Sequence, residues 1–162
     1  MGWFEKLNAD EIVLIDGGTG SELQRRGVAM DKNAWSGPAA YTHTKVLRQI
    51  HADYIQAGAQ IITTNTFGTT RFVLEAAGLG DKFHKVNKLA IDAAREGRED
   101  AANEDVAIAG SLSCLPPRLD ITAYPSKPRE KDGYRELAEL LAKGGVDLIA
   151  LEMLEDTYHA SM

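Results

Sequence analysis

The 162-residue chain predicts an α/β fold built on a parallel sheet, and three observations carry that reading. Short apolar runs alternate with stretches of helical periodicity along its length, the order of strand–helix–strand units with right-handed crossovers. The first run, Ile12-Val13-Leu14-Ile15, leads straight into Asp16-Gly17-Gly18-Thr19-Gly20. An acid thus stands at a strand end, followed by glycines that let the backbone turn sharply and bring free N–H groups close to a ligand. The last run ends the same way in Glu152, and in a parallel barrel such strand ends converge on one mouth. The pattern by itself fits a doubly wound sheet as well as a (β/α)8 barrel.

Four strands are expected, at residues 12–15, 60–64, 106–110 and 147–151. Each is short and continuously apolar or β-branched, as suits strands covered on both faces. Between the first and second, Val46, Leu47, Ile50 and Tyr54 recur at helical spacing within residues 43–57, and Gly58 supplies the stop. Phe83, Val86, Leu89, Ala90, Ala93 and Ala94 do the same before Gly97, and Leu137, Ala138, Leu141 and Ala142 before Gly144-Gly145. Residues 111–130, with Pro116, Pro117, Pro125 and Pro128, read as a long loop after the third strand. Long loops at that end of a parallel strand border the site.

A net charge of −6 argues against nucleic acid or an anionic membrane surface as partner. Arg25-Arg26 and the group Lys127, Arg129, Lys131 are too short for a phosphate-tracking patch and read as solvated faces. The N-terminal Met1-Gly2-Trp3-Phe4-Glu5-Lys6 lacks a basic region followed by an apolar run. No segment approaches the roughly 18 apolar residues of a membrane span. Cys114 is the single cysteine, which excludes an internal disulfide and points to the cytoplasm. His43, His51, His84 and His159 read as surface or helix-face histidines. Gly18-Thr19-Gly20 lacks the third glycine of a dinucleotide fingerprint, Leu23 taking its place.

The segments Asp16-Gly17-Gly18-Thr19-Gly20, Gln49-Ile50-His51-Ala52-Asp53-Tyr54-Ile55-Gln56-Ala57-Gly58-Ala59 and Ile61-Ile62-Thr63-Thr64-Asn65-Thr66-Phe67-Gly68 together resemble the homocysteine S-methyltransferase family. Ala109-Gly110-Ser111-Leu112 and Gly145-Val146-Asp147-Leu148-Ile149-Ala150-Leu151-Glu152 continue the resemblance in the right order. It implies a zinc-dependent (β/α)8 TIM barrel that moves a methyl group to the thiol of homocysteine, giving methionine. It further implies that residues 1–162 form a homocysteine-binding domain, C-terminally incomplete, covering about the first four βα units as a half barrel. Full-length relatives hold zinc through cysteines of the later strands. Cys114 matches none of them, so no zinc is expected at a catalytic site and no residue here is assigned a catalytic role.

Homocysteine carries an ammonium, a carboxylate and a thiol. Asp16 and Glu152 can accept from its ammonium as charge-assisted partners, and the resemblance matches them by position to the acids that close the family's first and fourth strands. Its carboxylate goes to the backbone N–H groups of Gly17, Gly18 and Thr19. Asn65 and Thr66 are expected as polar pocket residues. Each residue also has a structural reading: Asp16 as a helix cap, the glycines as turn formers, Asn65 and Thr66 as turn residues, and Glu152 paired with Arg71. The acids Glu152, Glu155 and Asp156 also suit the N-terminus of a following helix.

On this reading the chain alone is expected to be inactive as an enzyme. The alternatives are a non-catalytic amino-acid-binding half barrel or an inactive truncated product. The methyl donor is not identified by these residues. A half barrel leaves two strand edges and an inner face bare, the latter from Ile12, Leu14, Ile61, Ile108 and Leu148 or their alternates. Beside homocysteine and a methyl donor, the expected partner is therefore a second copy or a complementary C-terminal half.

Overall fold

The computed structural model describes residues 2–117, 120–154 and 156–161. In chain order its elements are α1 (Trp3–Asn8), α2 (Thr19–Arg25), α3 (Ala39–Thr42), α4 (Thr44–Gln56), β1 (Ile61–Thr63), α5 (Arg71–Ala76), α6 (Phe83–Asp100), β2 (Ala107–Ser113), α7 (Lys127–Lys143), β3 (Leu148–Glu152) and α8 (Thr157–Ala160). The three strands form one parallel sheet in the order β1-β2-β3. Each neighbour in space is the next in sequence, and helices make both crossovers, as parallel pairing requires.

Because side chains alternate along a strand, the sheet has two chemically distinct faces. Ile62 and Ile108 point to the helices and pack with Ile55, Ala59, Ala94 and Val106. Leu112 joins the main core with Leu47, Ile50, Phe83, Val86, Leu137 and Leu141 from α4, α6 and α7. The opposite face carries Ile61, Ala107 and Ala109, with Trp3, Val13, Leu148 and Ala150 against them. Of the residues expected there, Ile61 and Leu148 are present. Ile108 faces the helices instead, and Val13 takes the place of its neighbours Ile12 and Leu14.

Four boundaries differ from expectation by more than one residue. Residues 12–15 form no strand; they run beside β1 and meet it in one parallel bridge, Ile15 to Ile61. Asp16 N donates to Ile61 O at 2.9 Å and Gln60 N to Leu14 O at 2.8 Å. Ile12, Leu14 and Ile15 are 83, 54 and 66 % exposed, so this apolar run lacks the cover that makes such a run a buried strand. Next, β2 continues past Gly110 because β3 pairs with it as far as Ser113, opposite Glu152. The loop expected over 111–130 is shortened again at its far end, where α7 starts at Lys127 with a proline in its first turn, a position that needs no N–H donor. Finally, α6 runs through Gly97 to Asp100. Gly97 is where α6 and α4 approach each other, since a Cβ there would stand 2.7 Å from His51 Cβ and 2.8 Å from Arg48 O. The stops at Gly58 (φ +109°) and Gly145 (φ +78°) are real left-handed turns.

Candidate functional site

Along the face away from the core helices, polarity changes with height. The lower rungs are Ile61, Ala107, Ala109, Leu148 and Ala150. The period of two then places Thr63, Ser111, Ser113 and Glu152 at the C-terminal ends of the strands. A pocket of about 250 Å³ opens there. Its walls are the turn Gly17–Gly20, the loop residues Trp35 and Ser36, the segment after β1 with Thr64, Asn65 and Phe67, and Ser111, Glu152 and Met153. Of the expected site residues, Gly17, Gly18, Thr19, Asn65 and Glu152 meet on this one pocket.

Asp16 stands beside it. Its carboxylate accepts from Thr63 N at 2.7 Å and Thr63 Oγ1 at 3.2 Å. Burial pushes its pKa up from 3.8 to about 6; the Thr63 bonds oppose the rise and the nearby charge of Glu152 adds to it. Desolvation therefore outweighs repulsion between the two acids. Glu152 accepts from the Ser111 hydroxyl. Arg71 does not pair with it: that guanidinium forks onto Glu136, with Nε 2.7 Å from Oε2.

The same pocket is lined by a run of backbone donors. The N–H groups of Gly17, Gly18, Thr19 and Gly20 have no acceptor among the described residues, and the buried hydroxyl of Thr19 has no partner there either. A buried hydroxyl left unpaired is costly. Gly20 has to be glycine, because a Cβ would fall 2.8 Å from the Trp35 indole. Trp35 itself adopts φ +49°, a left-handed conformation that is strained for a bulky residue. It is held by reciprocal bonds with Asp31, Asp31 N to Trp35 O at 2.8 Å and Trp35 N to Asp31 O at 2.9 Å. Its ring meets Phe67 edge to face at 5.8 Å.

Asn65 has a double position. It lines the pocket, and its amide also ties the Trp35 loop to the end of β1, donating to Ser36 O at 2.9 Å and accepting from Ser36 Oγ at 3.1 Å. Thr66 is fully buried and donates to Ser111 O at 2.6 Å, behind the pocket wall. Thr63 and Ser111 were legible by strand parity from Ile61 and Ala109 but were not singled out. Trp35 and Ser36 lie in a loop with no periodicity to mark them.

A second cavity, about 400 Å³, adjoins the first across Phe67 and Met153 and includes Cys114, Tyr124 and His159. Cys114 donates its Sγ–H to Met153 O at 3.1 Å. Among the described residues no three His, Cys, Asp or Glu side chains come together as a metal-binding group. A catalytic zinc needs several such ligands, so these residues do not fit a thiolate–zinc centre. His159 sits between Glu130, 3.0 Å from Nε2, and Asp156, 2.7 Å from Nδ1. Asp156 caps α8 by accepting from His159 N at 2.8 Å; Glu155, expected to share that role, lies outside the described residues. His51 departs from the surface reading: it is completely buried with neither ring nitrogen partnered among the described residues. Among them, too, no helix is long and apolar enough to cross a membrane.

Comparison with known proteins gives a consistent result. The family model for Homocysteine S-methyltransferase matches residues 13–162. Betaine–homocysteine S-methyltransferase 1 of Xenopus laevis is 34 % identical over 164 residues, covering 98 % of this chain and 39 % of the relative. The Danio rerio protein of the same name is 33 % identical, with 98 % and 38 % covered. The chain thus spans about two-fifths of the length of these relatives. Among solved structures, the metallated form of the homocysteine methyltransferase MmuM from Escherichia coli aligns with a TM-score of 0.70 at 25 % identity, covering 92 % of this chain and 56 % of that one. Its oxidized form aligns with a TM-score of 0.74 at 26 % identity, covering 90 % and 55 %.

Proposed function

Because the chain belongs to the homocysteine S-methyltransferase family, we propose that its pocket binds homocysteine and that it forms the amino-acid-binding part of such a methyltransferase. The observation that carries the reading is one pocket that brings the strand-end acid Glu152 together with a row of unpartnered donors, with the Asp16 carboxylate beside it on Thr63. Asp16 and Glu152 accept from the ligand ammonium, and the Gly17–Gly20 amides with the Thr19 hydroxyl receive its carboxylate. Phe67 and Met153 flank the rest of the wall and suit the methylene–thiol arm. Asn65 supports the site by fixing the Trp35 loop, and Thr66 acts from behind the wall.

In the same proposal the sheet represents the first four βα units of a (β/α)8 barrel, with residues 12–15 in the place of its first strand. The parallel bridge of Ile15 to Ile61 and the sequential strand order support this. Domain extent, 1–162, and a cytoplasmic setting belong to the proposal too. Methyl transfer to the thiol, giving methionine, draws on groups beyond these residues, since the residues present do not build the metal centre of the family. The second reading, a non-catalytic amino-acid-binding half barrel, rests on that misfit.

Equilibrium binding of homocysteine to the purified chain, by calorimetry, tests the reading. Saturable binding at one site per chain is expected, weakened about tenfold or more by Asp16→Asn or Glu152→Gln, the loss typical of a charge-assisted hydrogen bond. An unaltered affinity in both variants would remove the acids from the site.

A further inference from the structure

Ser111 lies on the pocket face of β2 and is 1 % exposed. Its hydroxyl donates to Oε2 of Glu152 on the neighbouring strand. Its own peptide groups are held from the segment after β1: Thr66 Oγ1 donates to Ser111 O at 2.6 Å, and Ser111 N donates to Thr64 Oγ1 at 3.1 Å. The two threonine hydroxyls are 2.7 Å apart. A hydroxyl has one proton to give. That of Thr66 is committed to Ser111 O, so Thr64 must donate to Thr66, and the three residues close a ring of hydrogen bonds with a fixed direction.

All three members of the ring are buried. A satisfied polar network in a low-dielectric interior is rigid, and breaking one member leaves the others unpaired. The ring commits the proton of each threonine hydroxyl, that of Thr64 to Thr66 and that of Thr66 to Ser111 O. What the ring holds in place is the peptide of Ser111, and what Ser111 holds is a carboxylate.

We propose that Ser111 is the positioning residue of Glu152, and that the Thr64–Thr66 pair fixes Ser111 so that it engages one carboxylate oxygen while the other accepts from a ligand ammonium. This deepens the homocysteine reading and rests on it. The site's preference for an amino acid over the same molecule without its amino group is then set by the hydroxyl ring as much as by the acids themselves.

The test uses the full chain with two ligands, homocysteine and 4-mercaptobutyrate, which is homocysteine without the amino group. Ser111→Ala and Thr66→Val are expected to weaken homocysteine about tenfold and to leave 4-mercaptobutyrate within about twofold, whereas Thr66→Ser, which keeps the hydroxyl, retains the wild-type preference. Equal weakening of both ligands, or no change for homocysteine, overturns the proposal. A ligand-free measurement separates its failure from that of the homocysteine reading: three-bond NMR couplings should report one χ1 rotamer for Glu152 in the wild type and Thr66→Ser, and rotamer averaging in Ser111→Ala and Thr66→Val. A single retained rotamer in both of those variants overturns the proposal whether or not homocysteine binds. Averaging with no homocysteine binding upholds the positioning and rejects the ligand. If Ser111→Ala loses the fold, Thr66→Val carries the same comparison.

Discussion

Gly97 of α6 lies so close to His51 of α4 that a methyl group added to the glycine would stand 2.7 Å from the histidine Cβ. Ordinary helix propensity favours alanine over an interior glycine by about 1 kcal/mol. Here packing reverses the sign, because Arg48 O and Ala52 N crowd the same position at 2.8 and 3.2 Å. Gly97→Ala should therefore destabilise the chain by about 1–3 kcal/mol, the usual cost of overpacking. Urea unfolding midpoints of the two proteins check it, and a stabilised variant would mean the helices do not approach this closely.

The same histidine makes stability depend on pH, and Asp16 hides the effect. Burial lowers the His51 pKa from 6.5 to about 4, so between those values the unfolded chain binds a proton that the folded chain does not, and stability falls as pH falls. Asp16 works the other way, because its pKa rises from 3.8 to about 6; there the folded state holds the extra proton, and stability falls as pH rises. Over about pH 4 to 6 the two slopes oppose each other, each at most about 1.4 kcal/mol per pH unit. Asp16→Asn should steepen the acid-side loss, and His51→Asn should reverse its sign. Parallel stability–pH curves for wild type and both variants would contradict the burial of these groups.

Homocysteine binding should itself titrate. An ammonium acceptor at Asp16 must be ionised, and its pKa near 6 places the change just below neutral pH. Affinity is expected to drop about tenfold per pH unit well below that value and to level above it. In Asp16→Asn the drop should disappear. Calorimetry across that range decides the matter, and a wild-type affinity independent of pH would take Asp16 out of the ammonium site.

On β3, Ile149 and Leu151 are 36 and 58 % exposed, beside an apolar groove of about 310 Å³ against α7. Exposed apolar surface favours association. The chain on its own should self-associate at micromolar concentration, and Ile149→Lys with Leu151→Lys should shift it toward monomer in sedimentation velocity. A wild-type monomer at those concentrations would refute the expectation.

The helix-facing chemistry was legible in the sequence because it is periodic: Leu47 and Ile50, or Phe83 and Val86, declare a buried stripe. Asp16 and Glu152 were legible because each closes an apolar run, though only Glu152 ends a strand. Residues 12–15 misled, since composition records that a run is apolar and says nothing of what covers it. Gly97 misled because a glycine that stops a helix and one that admits a neighbouring helix look alike in one dimension. The loop of Trp35 and Ser36 is tied to the pocket by the bonds of Ser36 to Asn65, twenty-nine residues further on, a contact that no local pattern encodes. The hydroxyl ring of Thr64, Thr66 and Ser111 likewise joins residues from two strand ends.

The most direct test of the homocysteine site is residue-resolved NMR of the labelled chain during titration with homocysteine. Saturable shifts are predicted for the backbone amides of Gly17, Gly18, Thr19 and Gly20 and for the carboxyl carbons of Asp16 and Glu152, all fitting one dissociation constant. Shifts confined to the second cavity, around Cys114 and Tyr124, or no saturable shift at any of the six residues, would contradict it.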